Sequence, residues 1–169
     1  MTTNPCTADL CTTGQTVIDP SRWRIAELLP HAGPAIFIDR ICRVETDSLT
    51  ALTIVRPGTA YSDEDGNLPP WLGLEIMAQA VGAWAGVHAR LQGRAVELGF
   101  LVGSRHYECF TPALLAGCHI TADVTRTLDA GGMAVFECTL TDQATVLLAR
   151  ARINVFRPPD VAAFIQETQ

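Results

Sequence analysis

The sequence predicts an α+β domain in which one antiparallel sheet wraps around a single long buried helix. The stretch from Trp71 to Gln92 is almost wholly apolar or small, and its larger apolar residues recur at helical spacing. Several runs in the second half of the chain instead alternate apolar and polar residues, as strands with one solvated face do. A helix and a sheet that each carry an apolar surface bury those surfaces by packing together.

Length and composition define the class of protein. The 169 residues suffice for one domain with a real core, and 48% hydrophobic with 18% charged residues are typical of a globular chain. We assign residues 19–160 to this domain, residues 1–18 to a disordered tail and residues 161–169 to a C-terminal tail. The net charge is −6 and the chain contains no lysine. An acidic chain without a basic run argues against nucleic acids and membrane surfaces as partners.

The first elements are short. The segment 19–21 resembles a helix start, so a short amphipathic helix is expected over residues 22–29. Strand-like runs at 35–44 and 49–56 are joined by a polar link and predict a hairpin. Residues 57–70 form a long acidic loop rich in Gly and Pro, and such loops in compact domains are often functional.

The central helix is predicted over residues 71–92 and would be roughly 33 Å long. That length could span a bilayer, but Glu75, Gln79 and His88 interrupt the apolar surface and no Arg cluster flanks the segment. We therefore expect a buried helix that the sheet covers on all sides, with Gly and Ala residues that let strands come close.

The rest of the chain is rich in strands. Residues 95–110 form one long strand, or two that are broken at Gly103. Alternating runs at 119–128, 133–140 and 149–156 predict three more strands, and the links between them are short enough for hairpins.

The six cysteines include no CxxC pair, and several lie in apolar runs where a free Cys behaves as a small hydrophobe. Buried thiols in a reducing compartment are therefore expected, rather than disulfides or a metal site. The N-terminus shows no signal peptide, so a cytoplasmic protein is expected.

Two words in the sequence carry a family resemblance. ELLPHAGPAIFIDRI at residues 27–41 is similar to an opening word LPHR-x-P-x-L-L-x-DR, and GLEIMAQAVG at residues 73–82 is similar to a helix word x-x-E-A-x-A-Q. In this order they resemble the hot-dog fold 3-hydroxyacyl-ACP dehydratases of fatty-acid synthesis. The resemblance covers about residues 21–157 and is closest to the dehydratase-like subunits of aryl-polyene pigment pathways, in which LGFLVGSRHYEC at 98–109 recurs. It implies a single hot-dog domain that handles an acyl chain on a carrier protein.

The resemblance also implies roles for Glu75 and Gln79. In these dehydratases the helix acid works with a His that the partner subunit supplies from the loop before the helix. One of the two removes the α-proton of a 3-hydroxyacyl thioester, and the pair delivers a proton to the leaving hydroxyl. Gln79, one turn after Glu75, would hydrogen-bond the carboxyl and fix its rotamer. A backbone N–H of a Gly at the helix start holds the thioester carbonyl.

Two positions depart from the family. Its loop His lies fourteen residues before the acid, where this chain has Tyr61, and residues 57–70 contain no His. The Gly whose N–H holds the carbonyl lies five residues before the acid, where this chain has Pro70, which has no N–H. A slip of one residue would place Trp71 or Pro69 there.

His31 in the LPH word is the obvious substitute for the missing His, although active family members carry that residue in addition to the catalytic one. The catalytic candidates are therefore Glu75 and His31, and the substrate-binding candidates are Gln79, Trp71, Tyr61 and Gly103. The expected contacts to the phosphopantetheine phosphate and the acidic acyl carrier protein are Arg105, Arg150 and Arg152. The other histidines, His88, His106 and His119, are interpreted as structural, and no metal or cofactor of its own is expected.

Three functions are compatible with the resemblance. The first is a 3-hydroxyacyl-thioester dehydratase that acts alone by an unusual dyad, or that lends Glu75 to a second hot-dog subunit. The second is a non-catalytic scaffold that stabilises a dehydratase partner or binds the carrier protein, and the less favoured third is a thioesterase. The fold alone does not decide among them. A homodimer, or a heterodimer with another hot-dog subunit, is expected to pair edge to edge through residues 97–110.

Overall fold

The computed structural model describes residues 18–97 and 99–158 of the chain. Within these residues it contains one α-helix, α1 (Leu72–Leu91), and six strands: β1 (Arg40–Val44), β2 (Ser48–Ile54), β3 (Phe100–Cys109), β4 (His119–Ala130), β5 (Met133–Thr141) and β6 (Leu147–Phe156). The strands form one antiparallel sheet in the order β1-β2-β4-β5-β6-β3. The predicted α+β architecture, with one long helix and one sheet, is confirmed.

The helix packs against β2, β4, β5 and β6. Side chains of α1 that point toward the sheet are fully buried and belong to one core cluster with buried residues of the strands. They include Ile76, Met77 and Val87 on the helix, and Ile120, Phe136 and Ile153 on the strands. Full burial of one such side chain contributes about 1.5–3 kcal/mol to folding, so helix and sheet stabilise each other.

Local sequence sets both ends of α1. Pro69 and Pro70 precede the helix, and neither has an N–H to donate inside it. At the other end the backbone N–H of Gln92 donates to carbonyls of the last turn. Gly93 follows with φ +67°, a left-handed conformation that favours glycine. The helix thus fills the range 71–92 that its sequence predicts.

The prediction of an amphipathic helix over residues 22–29 is wrong. That part of the chain forms two single 3₁₀ turns, Pro20–Arg22 and Ile25–Glu27. The helix-start signal is nevertheless real, because the Asp19 carboxylate accepts the Ser21 N–H at 2.9 Å. A helix this short has little stability of its own, and an open backbone can lie closer to α1 than a helix can.

Residues 25–37, which we call the strap, run along α1 in the opposite direction. The Leu28 backbone lies against Gly86, and the Leu29 side chain lies against Gly82. At Gly86 an added Cβ would collide with the Leu28 carbonyl. The small residues of α1 were expected to admit strands, but at these two positions they admit the strap.

The apolar sequence of α1 predicted a helix that is covered on all sides. The sheet and the strap leave part of it uncovered. Leu74 and Ala78 are only partly buried, and Ala85 is exposed. These positions succeed one another at helical spacing, so they form a stripe along one side of the helix. We call this set of residues, Leu74, Ala78 and Ala85, the open stripe of α1.

Two strands begin or continue differently from the simplest expectation. β1 begins at Arg40 rather than at residue 35, because Phe37 donates its N–H to a side chain of α1 instead of to a strand. β3 is one continuous strand at the edge of the sheet, and its pairing has register shifts between Leu101 and Gly103 and between Ser104 and His106. Pairing of a second subunit along this edge stays a prediction.

The cysteines agree with the expectation in part. Cys109, Cys118 and Cys138 are free thiols, whereas Cys42 is disulfide-bonded, so the expectation of free thiols throughout is wrong there. Cys138 lies in the core, and burial, followed by the charge of Glu137, raises the pKa of its thiol to about 12. This thiol is therefore protonated and unreactive at neutral pH.

Among the described residues, no helix has both the length and the apolar character that crossing a membrane requires. The cytoplasmic location stays a prediction. The tails expected at 1–18 and 161–169 lie, apart from residue 18, outside the described residues.

The close approach of the strap predicts different effects for two glycines of the same helix. Gly86→Ala should lower the free energy of unfolding by about 1–3 kcal/mol, because its Cβ would lie 3.0 Å from Leu28 Cα and collide with the carbonyl. Gly82→Ala meets only the flexible end of Leu29, at 3.1 Å, and should be neutral or stabilise by up to about 1 kcal/mol, because Ala has the higher helix propensity. Urea unfolding of both variants measures this. Equal effects at the two positions would contradict the path of the strap.

Candidate active site

A cavity of about 300 Å³ opens at the N-terminal end of α1. Three segments meet there: the strap, the loop before the helix and the first turn of the helix. The cavity is lined by His31, Ala35, Phe37, Tyr61, Trp71, Leu72 and Glu75. Both catalytic candidates and two of the substrate-binding candidates, Tyr61 and Trp71, are therefore brought together by the fold.

His31 and Glu75 meet at the wall of this cavity. Nε2 of His31 lies 3.4 Å from Oε1 of Glu75, and the two side chains are 37% and 38% exposed. This is an ion-pair distance, longer than that of a typical N–H···O hydrogen bond. Nδ1 of His31 is shielded from solvent and has no hydrogen-bond partner among the described residues. The apolar helix thus does not bury its acid, because Glu75 opens onto the cavity.

Gln79 ties the two sides of the cavity together. Its side chain is 1% exposed. Oε1 of Gln79 accepts the Phe37 N–H at 2.8 Å, while Nε2 donates to the Ala35 carbonyl at 2.7 Å and to Oε1 of Glu75 at 2.8 Å. Both amide protons are used inside the chain, and the expected bond to Glu75 is present. A contact of Gln79 with substrate stays a prediction.

Three aromatic side chains form the rim of the cavity. The rings of Phe37 and Tyr61 lie 6.1 Å apart, and those of Tyr61 and Trp71 lie 5.9 Å apart in an edge-to-face arrangement. Tyr61 is 49% exposed and Trp71 is 57% exposed. Exposed aromatic rings beside a cavity offer a large apolar area at a small conformational cost to a ligand that enters.

Short hydrogen-bonded turns open α1. The N–H groups of its first turn donate to carbonyls three residues back: Leu72 to Pro69, Gly73 to Pro70 and Leu74 to Trp71, each at 3.1 Å. The Tyr107 hydroxyl donates to the Pro70 carbonyl as well, at 2.5 Å. Burial raises the pKa of the Tyr107 phenol above its usual range. The sequence patterns did not single out Tyr107, although its exposed neighbours on β3 imply by alternation that it points toward the helix.

The arginines expected to contact a carrier protein lie on the strands, away from the cavity. Arg150 pairs with Glu108 at 2.8 Å, and Arg152 pairs with Glu137 at 3.3 Å. Their charges are therefore compensated within the chain. Arg105 is exposed on β3. Contact of these residues with a carrier protein stays a prediction.

Gly103 and the other histidines also lie away from the cavity. Gly103 is at the register shift in β3. His88 contacts the Glu45 carbonyl at 3.1 Å through Nε2, and burial lowers the pKa of its ring. His106 and His119 are exposed on their strands. Within residues 18–97 and 99–158, no group of three or more His, Cys, Asp or Glu side chains is placed to hold a metal ion.

The Gln79 contacts predict that this side chain stabilises the strap. Gln79→Leu keeps similar volume but leaves the Phe37 N–H and the Ala35 carbonyl unpaired, which should cost about 1–3 kcal/mol for each group that stays buried. Gln92→Leu, at the exposed end of α1, is the matched control and should change stability by less than about 0.5 kcal/mol. Chemical unfolding measures both. A Gln79→Leu protein as stable as the wild type would contradict the role of Gln79 in holding the strap.

The chain is similar to one protein family and to several solved structures. A family described as ApeP-like, ApeP dehydratase, matches residues 23–166. The dehydratase heterocomplex ApeI:P from Xenorhabdus doucetiae is similar at 27% identity and a TM-score of 0.80, with 88% of this chain and 99% of that chain covered. The virulence protein Cj0977 from Campylobacter jejuni is similar at 13% identity and a TM-score of 0.62, with 81% and 98% covered. No curated protein matched the chain.

A hypothetical thioesterase solved with coenzyme A, from Streptococcus pneumoniae, is similar at 14% identity and a TM-score of 0.56, with 69% of this chain and 83% of that chain covered. At such low identity, the similarity to this structure and to Cj0977 shows the fold alone. The family match and the heterocomplex together confirm the hot-dog dehydratase resemblance drawn from the two sequence words.

Proposed function

The chain belongs to the ApeP-like dehydratase family, and we propose that it dehydrates a 3-hydroxyacyl thioester presented by an acyl carrier protein. One observation carries this proposal. His31 and Glu75 come from two segments of the same chain, and they meet 3.4 Å apart at a cavity. These two side chains would supply the acid–base pair of the reaction, although the loop before the helix has no His.

The reaction asks three things of the pair. A base takes the proton from C2, charge moves to the thioester carbonyl, and the C3 hydroxyl leaves as water once it receives a proton. A 2-enoyl thioester and one water are the products. Nε2 of His31 and Oε1 of Glu75 lie 3.4 Å apart, so one member would act as the base and the pair would return the proton to the leaving hydroxyl.

The aromatic rim supports an extended, conjugated acyl chain as the substrate. Phe37, Tyr61 and Trp71 line the cavity beside the acid–base pair. Aromatic rings prefer edge-to-face and offset-stacked contacts, and a flat, unsaturated chain can form both with these rings. Polyene-type biosynthesis, including the aryl-polyene pathways that the sequence words suggest, supplies such chains. Fatty-acid biosynthesis is the alternative source of a 3-hydroxyacyl substrate.

A second hot-dog subunit is part of the proposal. The open stripe of α1 and the edge strand β3 are surfaces that the described residues do not cover. The solved ApeI:P structure is titled a heterocomplex. We propose that a second subunit, identical or related, covers these surfaces and narrows access to the cavity.

A non-catalytic scaffold is the competing function, and two observations favour it. The His31 to Glu75 distance is longer than a hydrogen bond, and Nδ1 of His31 has no partner among the described residues to fix its tautomer. A dehydratase partner with a complete site of its own would then carry the reaction, and this chain would stabilise it.

The dyad predicts parallel losses of activity. Glu75→Gln and His31→Asn should each lower the turnover of a 3-hydroxyacyl carrier-protein substrate by about 10²–10⁴-fold, because each removes a proton-transfer group. Thermal midpoints should change little, since the amide oxygen that Glu75→Gln introduces can still accept from Gln79. Turnover and thermal midpoint are measured on the same sample, alone and with a hot-dog partner. Glu64→Gln, exposed in the loop before the helix, and His119→Asn, exposed on β4, lie outside the cavity lining, so they are the matched controls and should leave turnover unchanged.

The outcomes separate the candidate functions. A Glu75→Gln complex that dehydrates as fast as the wild type would mean that the acid is structural and that the partner holds the whole site. Free thiol released without enoyl product would identify a thioesterase. Loss of activity in both variants, with both controls active, is the result expected for a dehydratase.

Carrier-protein binding predicts a role for Arg105. Arg105→Ala should weaken the binding of an acidic carrier protein and reduce the salt dependence of the association rate, because rim charges mainly steer encounter. Arg152→Ala is the matched control and should have a smaller effect, because Glu137 compensates its charge. Surface plasmon resonance at low and high salt measures both. An affinity that changes neither with salt nor in Arg105→Ala would contradict a carrier-protein contact at Arg105.

A further inference from the structure

Resting on the proposed dehydration, we propose that Tyr107 is a positioning residue that aims the backbone N–H of Trp71 at the thioester carbonyl. The reaction places negative charge on that carbonyl oxygen as the C2 proton leaves, and a fixed N–H donor stabilises it. The position that supplies this donor in related enzymes is Pro70 here, and proline has no N–H. The chain therefore needs another donor at the same end of α1.

Trp71 carries the first backbone N–H available there. The next three N–H groups, on Leu72, Gly73 and Leu74, are already engaged with carbonyls three residues back. No hydrogen bond from the described part of the chain engages the Trp71 N–H. Trp71 also lines the cavity that contains Glu75. Its backbone N–H is thus the one donor of this turn that no bond of the described chain occupies.

Two hydrogen bonds fix the orientation of that amide. The Pro70 carbonyl accepts the Gly73 N–H at 3.1 Å and the Tyr107 hydroxyl at 2.5 Å. The Pro70 carbonyl and the Trp71 N–H belong to the same peptide unit, which is planar, and the described chain has no cis peptide bonds. In a trans peptide the N–H points opposite to the C=O. Holding the carbonyl against Tyr107 therefore aims the N–H away from β3.

Gly73 leaves the space in which the phenol lies. A Cβ at this position would be 2.6 Å from the Tyr107 hydroxyl oxygen and 3.0 Å from Cδ1 of Leu140. Glycine inside a helix costs about 1 kcal/mol relative to alanine, so helix stability alone would favour alanine here. The glycine permits the short contact between β3 and the start of α1.

The phenol is suited to this task at every pH of a normal assay. Burial keeps the Tyr107 hydroxyl protonated, since it raises the pKa of the phenol. A protonated hydroxyl is a donor, and the Pro70 carbonyl is only an acceptor. The bond therefore persists across the assay range, so its removal should lower the rate without shifting the pH profile.

Tyr107→Phe tests the proposal, because it keeps the ring and removes only the hydroxyl. The turnover number kcat should fall by about 10–100-fold, as expected when a catalytic group is misplaced slightly, with KM, the pH profile and the thermal midpoint little changed. Gly73→Ala should reproduce the fall in kcat, because it displaces the phenol. Gly82→Ala, in the same helix and away from Tyr107, is the control and should keep the wild-type kcat.

A second measurement does not depend on turnover. The chain has three tryptophans, so a sample labelled with ¹⁵N-tryptophan gives few backbone signals, and Trp71→Phe identifies that of Trp71. A 3-hydroxyacyl N-acetylcysteamine thioester should move the Trp71 amide proton downfield in the wild type, and by less in Tyr107→Phe.

The outcomes distinguish the two proposals. Unchanged kcat in Tyr107→Phe, or a bound thioester that leaves the Trp71 amide unmoved, overturns the positioning role while dehydration stands. A wild-type protein that neither turns over nor binds the thioester, alone or with a hot-dog partner, overturns the proposed function and this inference with it. A thermal midpoint that falls together with kcat in Tyr107→Phe identifies a structural role only and also overturns the inference.

Discussion

The buried side-chain amide of Gln79 connects the candidate site to the rest of the fold. Gln79 is the point at which the strap, with His31, is attached to the helix that carries Glu75. Its three hydrogen bonds pair two backbone groups of the strap and hold the carboxylate. Without them, the Phe37 N–H and the Ala35 carbonyl would be left unpaired at a part-buried position, and the carboxylate would be free to rotate. The same side chain therefore holds the strap against α1 and limits Glu75 to an orientation near His31.

The elements with local signals were predictable from the sequence. Alternation of apolar and polar residues is enough to place β4, β5 and β6, because it depends on neighbours two residues apart. The central helix was predictable for the same reason, because its apolar residues recur at the short spacing of a helical turn. Glu75 was also identifiable, because a charged residue in an apolar helix needs a reason to be there. The two sequence words then identified the family, which covers most of the chain.

The resemblance named His31 and Glu75 as candidates, but local sequence patterns did not show how they meet, because the path of the strap depends on contacts between distant residues. A glycine such as Gly86 shows that something comes close, but not whether a strand or the strap does. The expected helix over 22–29 failed for this reason: short local signals lose to packing against α1. Tyr107 was missed because its partner, the Pro70 carbonyl, is a backbone group that no sequence pattern marks.

On the proposed function, a catalytic pair in one chain would change what a second subunit is needed for, because His31 and Glu75 meet within a single chain. Each side chain is more than one third exposed, so water reaches both in the single subunit. Proton transfer and charge stabilisation work best where water is excluded and fixed dipoles replace it. A partner that covers the open stripe of α1 beside the cavity would supply that exclusion. Its contribution to catalysis would then be a drier site, with no catalytic side chain of its own required.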